Sequence, residues 1–460
     1  MSKESNDNNT MMGMSKPILF IMAIAGLGGF LYGFDIGIIS GALVFMKESI
    51  TITPSEESLI VSAVLGGGAL ATFISGPFAD RYGRRFSIII SAVLFIIGTI
   101  ILIDASSFAT VMAGRLIQGV GVGIITIVIP LYLAEIIPSN IRGRGVALFQ
   151  LSLTFGILSG YLVNYFLKPT GDWRLMFGTG LVPSIIFLAG GLFLLPRSPR
   201  WLYQNGDDEE ARDVLAETQG EDQVEDSVEE MKSVIKEEEK KKSGSWGMLF
   251  HRGYRKAFFI ALAVGVLTQM TGINVLLQFN ATILSDAGMH STAILGSVGV
   301  GLINFVVTII AMSLVDRIGR RPLLITGTAG VTFALAFIGI VQLLWPSTAF
   351  TGYATLGGFM VFVVFYAVGP GVVVWLAISE VLPMAIRAKG MAVALCANSL
   401  TSAGLAAIFM DVVELINYSG IFLVLAFFTF LYLLIAVFPL PETKGRTLEE
   451  IESELLGENI

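Results

Sequence analysis

Asp80-Arg81-Tyr82-Gly83-Arg84-Arg85 and, half a chain later, Asp316-Arg317-Ile318-Gly319-Arg320-Arg321 are two copies of one polar signature, each set between stretches too apolar for water. A second signature doubles with it: Glu135-x-x-Pro138-x-x-Ile141-Arg142 returns as Glu380-x-x-Pro383-x-x-Ile386-Arg387. The nearly equal offsets read as two similar membrane halves, a doubling that suits a carrier rocking one half against the other around a central site.

Composition agrees. Hydrophobic residues make up 54% of the 460, charged residues only 14%, which excludes a water-soluble domain of this length. Apolar runs long enough to cross a ~30 Å hydrocarbon core fall at about 17–46, 58–79, 86–104, 110–136, 145–168, 174–196, 257–286, 292–315, 322–345, 353–382, 390–412 and 419–440. The expected fold is therefore an all-α membrane protein of twelve transmembrane helices in two six-helix halves. It divides into an N-terminal tail (1–16), a first half (17–196), a charged helix-forming linker (197–256), a second half (257–440) and a C-terminal tail (441–460). The first run is too long for a removable signal peptide.

Alternate loops hold 23 of the 29 Lys and Arg, which places them, and both termini, in the cytoplasm of a multi-pass cell-membrane protein. The linker, with Asp207-Asp208-Glu209-Glu210 and Glu237-Glu238-Glu239-Lys240-Lys241-Lys242, reads as solvated short helices, with a regulatory docking site as the alternative. The lone Cys396 excludes a disulfide framework and reads as a small buried hydrophobe. No metal cluster, catalytic triad, phosphate loop or nucleic-acid footprint is visible, and His251 and His290 fall outside the spans. An enzyme is disfavoured.

Each Asp-Arg-x-Gly-Arg-Arg makes a short turn in which Gly83 and Gly319 permit reversal. Its arginines can fork onto carboxylates or onto helix C-terminal carbonyls. Asp80, Arg84, Arg85, Glu135 and Arg142, with Asp316, Arg320, Arg321, Glu380 and Arg387, are expected to form a cytoplasmic latch between helix ends. Positive-inside marking alone would explain the arginines but not the acids.

Asp35 lies inside the first span, where an ionised carboxylate is costly unless paired. Arg115, in the fourth span, is the only basic residue inside any span and its natural partner, although residue counting sets it on the order of 10 Å nearer the outer surface. Burial favours the neutral acid and a nearby arginine the carboxylate. A motion that separates and rejoins the pair would load and release a proton. A static buried ion pair is the alternative. Gly272 in the seventh span and Gly369-Pro370-Gly371 in the tenth interrupt helices and are expected to bend as gates, with a static kink as the alternative.

The chain resembles the sugar porter family of the major facilitator superfamily. The matching residues are Gly29-Phe30-Leu31-Tyr32-Gly33-Phe34-Asp35, both signature pairs, Pro196-Arg197-Ser198-Pro199-Arg200-Trp201-Leu202, Gln269-x-x-Gly272-Ile273-Asn274, Gly369-Pro370-Gly371 with Trp375, and Pro441-Glu442-Thr443-Lys444-Gly445. They run in the family's order along nearly the whole chain. The resemblance implies sugar contact by Gln150, Gln269, Asn274, Asn304, Trp375 and Asn398, where the alternative is that such amides pair helices. Gln278 is a further candidate, standing where a tyrosine is usual. The resemblance also implies a latch role for Glu442. Proton symporters of the family carry an Asp at position 35 and facilitators an Asn. This implies proton-coupled uptake of a monosaccharide such as a hexose or pentose. The proton gradient drives it, no cofactor is needed, and the unit is a monomer in the bilayer. An uncoupled sugar or inositol carrier is the alternative, a membrane sugar sensor a more distant one. Departures at Thr268, Gln278 and Ser399 predict a pocket of altered polarity, and Arg197 in place of the family's glutamate predicts a weaker N-terminal latch.

Overall fold

The computed structural model describes residues 16–138, 142–241 and 246–444, with Arg446 and Glu450. Helices account for nearly all of them, and no strand occurs among the described residues. Backbone groups in a hydrocarbon environment must be satisfied within their own segment, so apolar runs of this length fold as helices.

The first half comprises α1 (Lys16–Ser49), α2 (Pro54–Tyr82), α3 (Arg84–Ile103), α4 (Phe108–Ile136), α5 (Arg142–Leu167) and a sixth crossing built from α6 (Trp173–Gly178) and α7 (Leu181–Phe193). Thr53 and Ser107 open α2 and α4 as capping boxes, which fixes where those spans begin. The linker holds α8 (Pro199–Gln204), α9 (Asp208–Gln219) and α10 (Val224–Lys241). Arg212 bonds Glu225 across two of these helices and holds that carboxylate below its usual range.

The second half begins with α11 (Arg255–Met270), α12 (Ile273–Gln278) and α13 (Asn280–Leu284), one crossing broken where Gly272 turns left-handed at φ 82°. It continues with α14 (Ala293–Ile318), α15 (Arg320–Leu344), and α16 (Ala349–Val368) followed by α17 (Pro370–Val381), separated at Gly369. The last element, α18 (Arg387–Val437), has 51 residues and would reach about 77 Å if straight, more than twice the hydrocarbon core. It is not straight. Asn417 leaves the helical region (φ 60°, ψ 171°). Asn398 and Tyr432, which an unbroken helix would hold about 51 Å apart, both bond the turn Gly265–Thr268 of α11. The element is therefore two antiparallel spans, and the bundle has twelve.

α1 and α5 meet backbone to backbone. A Cβ on Gly33 would collide with the Leu153 carbonyl oxygen, and one on Gly156 with that of Phe30, so only glycine permits this approach. It fixes the face of α1 that carries Asp35.

Three apolar cores show how the halves are joined. One lies wholly in the first half, from Ile18 to Leu195, and another wholly between Leu249 and Leu440. Both lie toward the end of the bundle that bears the arginine turns, hereafter the basic end. The third joins both halves at the far end and contains Ile39, Ile60, Trp173, Ile283, Phe409 and Phe422. Hydrogen bonds cross between the halves there: Tyr161 donates to the Leu277 carbonyl (2.7 Å), and Ser40 and Ser58 accept from the backbone N–H groups of Ala281 (3.0 Å) and Met410 (2.8 Å). Ser55 also bonds Asp411. The far end is shut.

Candidate functional site

Asp35 and Arg115 meet. The Nη1 of Arg115 donates to Oδ1 of Asp35, and the two side chains are 1% and 0% exposed. The separation expected from residue counting is closed by the arginine, whose Nε also reaches the Ile60 carbonyl (3.4 Å) and whose guanidinium lies 5.6 Å from the centre of the Phe177 ring. Gln118 supports the pair, its Oε1 3.4 Å from Nη1 and its amide donating to Thr99 (2.9 Å). Gln118 and Thr99 were not singled out in the sequence. Spacing from Arg115 was the available signal, because i+3 shares a helix face. Oδ2 of Asp35 and Nη2 of Arg115 have no hydrogen-bond partner among the described residues.

Between the halves lies a cleft open to solvent. Its first-half wall is Tyr32 with small residues of α2 and α4, including Gly68, Thr72, Gly123 and Thr126. Its second-half wall is Gln269, Asn274, Asn398, Ser399 and Ser402. The amides form a chain. Asn274 donates to Gln269 (3.1 Å) and to Ser402 (2.8 Å), Gln269 donates to Asn398 (3.2 Å), and Asn398 donates to the Gly265 carbonyl (2.8 Å). The break at Gly272 presents Gln269 and Asn274 to the same space from either side of the interruption.

Four other expected contacts stand outside the cleft wall in this state. Gln278 is buried and donates to the Asn274 carbonyl (3.2 Å), Asn304 is buried on α14, Gln150 is half-buried and Trp375 is 39% exposed. Thr268 is turned away, bonding Tyr432 (2.9 Å). Tyr32 and Ser402 join the wall without having been expected there. Cys396, expected to be buried, is half-buried, and both histidines are exposed.

At the basic end the arginine turns repeat each other in space. Arg84 forks onto Glu135 with two contacts of 2.9 Å and pairs with Asp80 at 3.1 Å, while Arg320 pairs with Glu380 at 3.3 Å. Arg85 donates to the last carbonyls of the sixth crossing, Gly191 (2.9 Å) and Leu192, and Arg321 to Ala436 (3.3 Å) and Val437 at the end of the twelfth. Ser198 and Thr443 donate to Glu135 and Glu380. Arg387 bonds the Leu382 carbonyl (3.0 Å). The side chains of Arg142 and Asp316 lie outside the described residues. All these contacts tie helices within one half. Among the described residues the halves differ here: the Glu442 carboxylate accepts from the backbone N–H groups of Arg320 and Arg321, both at 3.2 Å, whereas Arg197 reaches away to Glu210 (3.2 Å) and α3 starts with no side-chain cap.

This arrangement has known counterparts. A family model described as sugar (and other) transporter matches residues 21–455. The chain belongs to the sugar porter family of the major facilitator superfamily. The porter is 36% identical over 448 residues to the glucose transporter GlcP of Staphylococcus epidermidis, covering 96% of this chain and 98% of that one. It is 32% identical over 440 residues to the galactose-proton symporter of Escherichia coli K12, covering 95% and 94%. The inward open conformation of the xylose transporter XylE from E. coli superposes with a TM-score of 0.82 at 28% identity, over 95% of this chain and 99% of that one. The porter is a transporter and not an enzyme.

Proposed function

We propose that the protein imports a monosaccharide, a hexose or a pentose, together with a proton through this single cleft by alternating access. Its basic end and both termini face the cytoplasm, and it acts as a monomer in the cell membrane. The observation that carries the reading is the Asp35–Arg115 pair: a carboxylate wholly inside a membrane half, bonded to one arginine through one oxygen and unpartnered at the other.

The far end is closed and, among the described residues, no apolar core spans both halves at the basic end, so the state described is the one open at the basic end, which this reading sets in the cytoplasm. In it Asp35 is bonded to Arg115, and remaking this bond is the step at which the proton leaves toward the inside. Opening the far end draws the pair apart. A buried carboxylate without its arginine is costly, and a proton taken from outside at Oδ2 removes that cost. Transfer of one charge down 100 mV is worth about 2.3 kcal/mol, enough for roughly forty-fold accumulation with one proton per sugar. No bound cofactor enters the cycle, since the gradient supplies the work.

Sugar hydroxyls both donate and accept, and an amide does the same, so Gln269, Asn274 and Asn398 can exchange the bonds they make with each other for bonds to a ring of hydroxyls. Gln150, Gln278, Asn304 and Trp375 are proposed to join them when the halves close over the ligand, with Gly272 and Gly369-Pro370-Gly371 as the bending points. The turns at Arg84 and Arg320, with Glu442, would hold the helix ends of each half together at the basic end as it rocks, while α1 shifts against α4 deeper in the first half.

The test is Asp35→Asn in energised vesicles. Uphill uptake should vanish while sugar exchange down a gradient persists at a comparable rate. Full accumulation by this variant would overturn the coupling role.

A further inference from the structure

The second half carries at its basic end a cationic, aromatic patch that neither the cleft nor the arginine turns use. A short helical turn, Trp246–Phe250, precedes α11, and Trp246 is 59% and Phe250 65% exposed. Arg252, Arg255 and Lys256 follow and are all exposed. From the start of α18, Lys389 sets its ammonium 5.5 Å from the centre of the Trp246 ring. Among the described residues no carboxylate lies within ion-pair distance of Arg252, Arg255, Lys256 or Lys389.

Length places the patch. The seventh crossing runs from Arg255 to Leu284, longer than a ~30 Å hydrocarbon core requires, and the charges of Arg255 and Lys256 at its start set the first turn of α11 at headgroup depth. At that depth an exposed indole sits with its ring toward the acyl boundary. Lysine and arginine there meet lipid phosphates.

We propose that this patch is a binding site for an anionic phospholipid of the leaflet at the basic end, with the headgroup phosphate on Arg252, Arg255, Lys256 and Lys389 and the acyl chains along Trp246 and Phe250. A zwitterionic headgroup offers the same phosphate but brings its own ammonium into the cation cluster, so the site discriminates by net charge. An acidic protein segment would satisfy the cations and leave both aromatic rings facing water. The inference depends on the membrane fold and not on the sugar reading.

Native mass spectrometry of the detergent-purified full chain, incubated with equal amounts of phosphatidylglycerol or phosphatidylcholine, tests it. The native protein should retain phosphatidylglycerol preferentially. Neutralising each cation should lower that retention about five-fold, so Arg255→Gln with Lys389→Gln should lower it on the order of twenty-fold and leave phosphatidylcholine unchanged. Trp246→Ala should weaken retention of both lipids alike. Brominated phosphatidylglycerol should quench the Trp246 fluorescence of the native chain, read as the difference from Trp246→Phe, so the site is tested even if the double variant aggregates. Equal retention of the two lipids by the native chain, undiminished retention by a monodisperse double variant, or absence of that quenching would overturn the proposal.

Discussion

The cleft's second-half wall depends on three amides held in sequence, each giving one bond to the next. Asn274 has the most to lose, because its amide group bridges Gln269 and Ser402 across two elements. Removing a neutral hydrogen bond costs about 1 kcal/mol. Asn274→Ala should therefore weaken sugar binding about five- to ten-fold, measured as the concentration giving half-maximal exchange. An unchanged exchange constant would remove Asn274 from the site. The sequence displayed these amides because polar side chains are conspicuous among apolar neighbours, and it displayed Asp35 and Arg115 for the same reason. Tyr32 and Ser402 were hidden among residues that are ordinary in a membrane helix. Their place on the wall follows from helix rotation, which is set by contacts such as Gly33 against Leu153 and not by composition.

Among the elements, α3 and α15 occupy equivalent places but begin differently. The Glu442 carboxylate bonds two free N–H groups at the start of α15, satisfying donors that a helix leaves unpaired and complementing the positive end of its dipole. The position in the first half that corresponds to Glu442 is Arg197, which is directed to Glu210. Arg197→Glu would offer the missing carboxylate to Arg84 and Arg85 and tighten the basic end of the first half. The expected outcome is a shift toward the state open at the far end. It would be seen as slower alkylation from the basic end of a cleft cysteine at Thr72→Cys in a chain carrying Cys396→Ala. Equal alkylation rates would count against the asymmetry. At this scale twelve crossings could be counted from hydropathy, and Gly272 and Gly369 marked where two of them break. The reversal at Asn417 was visible only as a gap between apolar runs, since asparagine in a left-handed conformation has no hydropathy signature.

For the whole molecule the balance between states rests on the far end, where hydroxyl groups of the first half satisfy backbone groups of the second. Tyr161 is fully buried and its hydroxyl reaches Leu277 beside the broken seventh crossing. Tyr161→Phe keeps the ring and deletes the bond, a loss of about 1 kcal/mol that should move the equilibrium roughly five-fold toward the far-open state. The same Thr72→Cys probe should report it, in the same direction as Arg197→Glu. A faster reaction from the basic end would mean that the bond holds the opposite state. Which end stands open could not be read in the sequence, because both copies of each signature are present in either state.

The central claim is that each sugar brings a proton through Asp35. Adding sugar to a lightly buffered suspension of de-energised vesicles and recording external pH tests it most directly. The account predicts a transient alkalinisation of about one proton per sugar entering, absent in Asp35→Asn; sugar entry at full rate with no pH change in the native protein would contradict it.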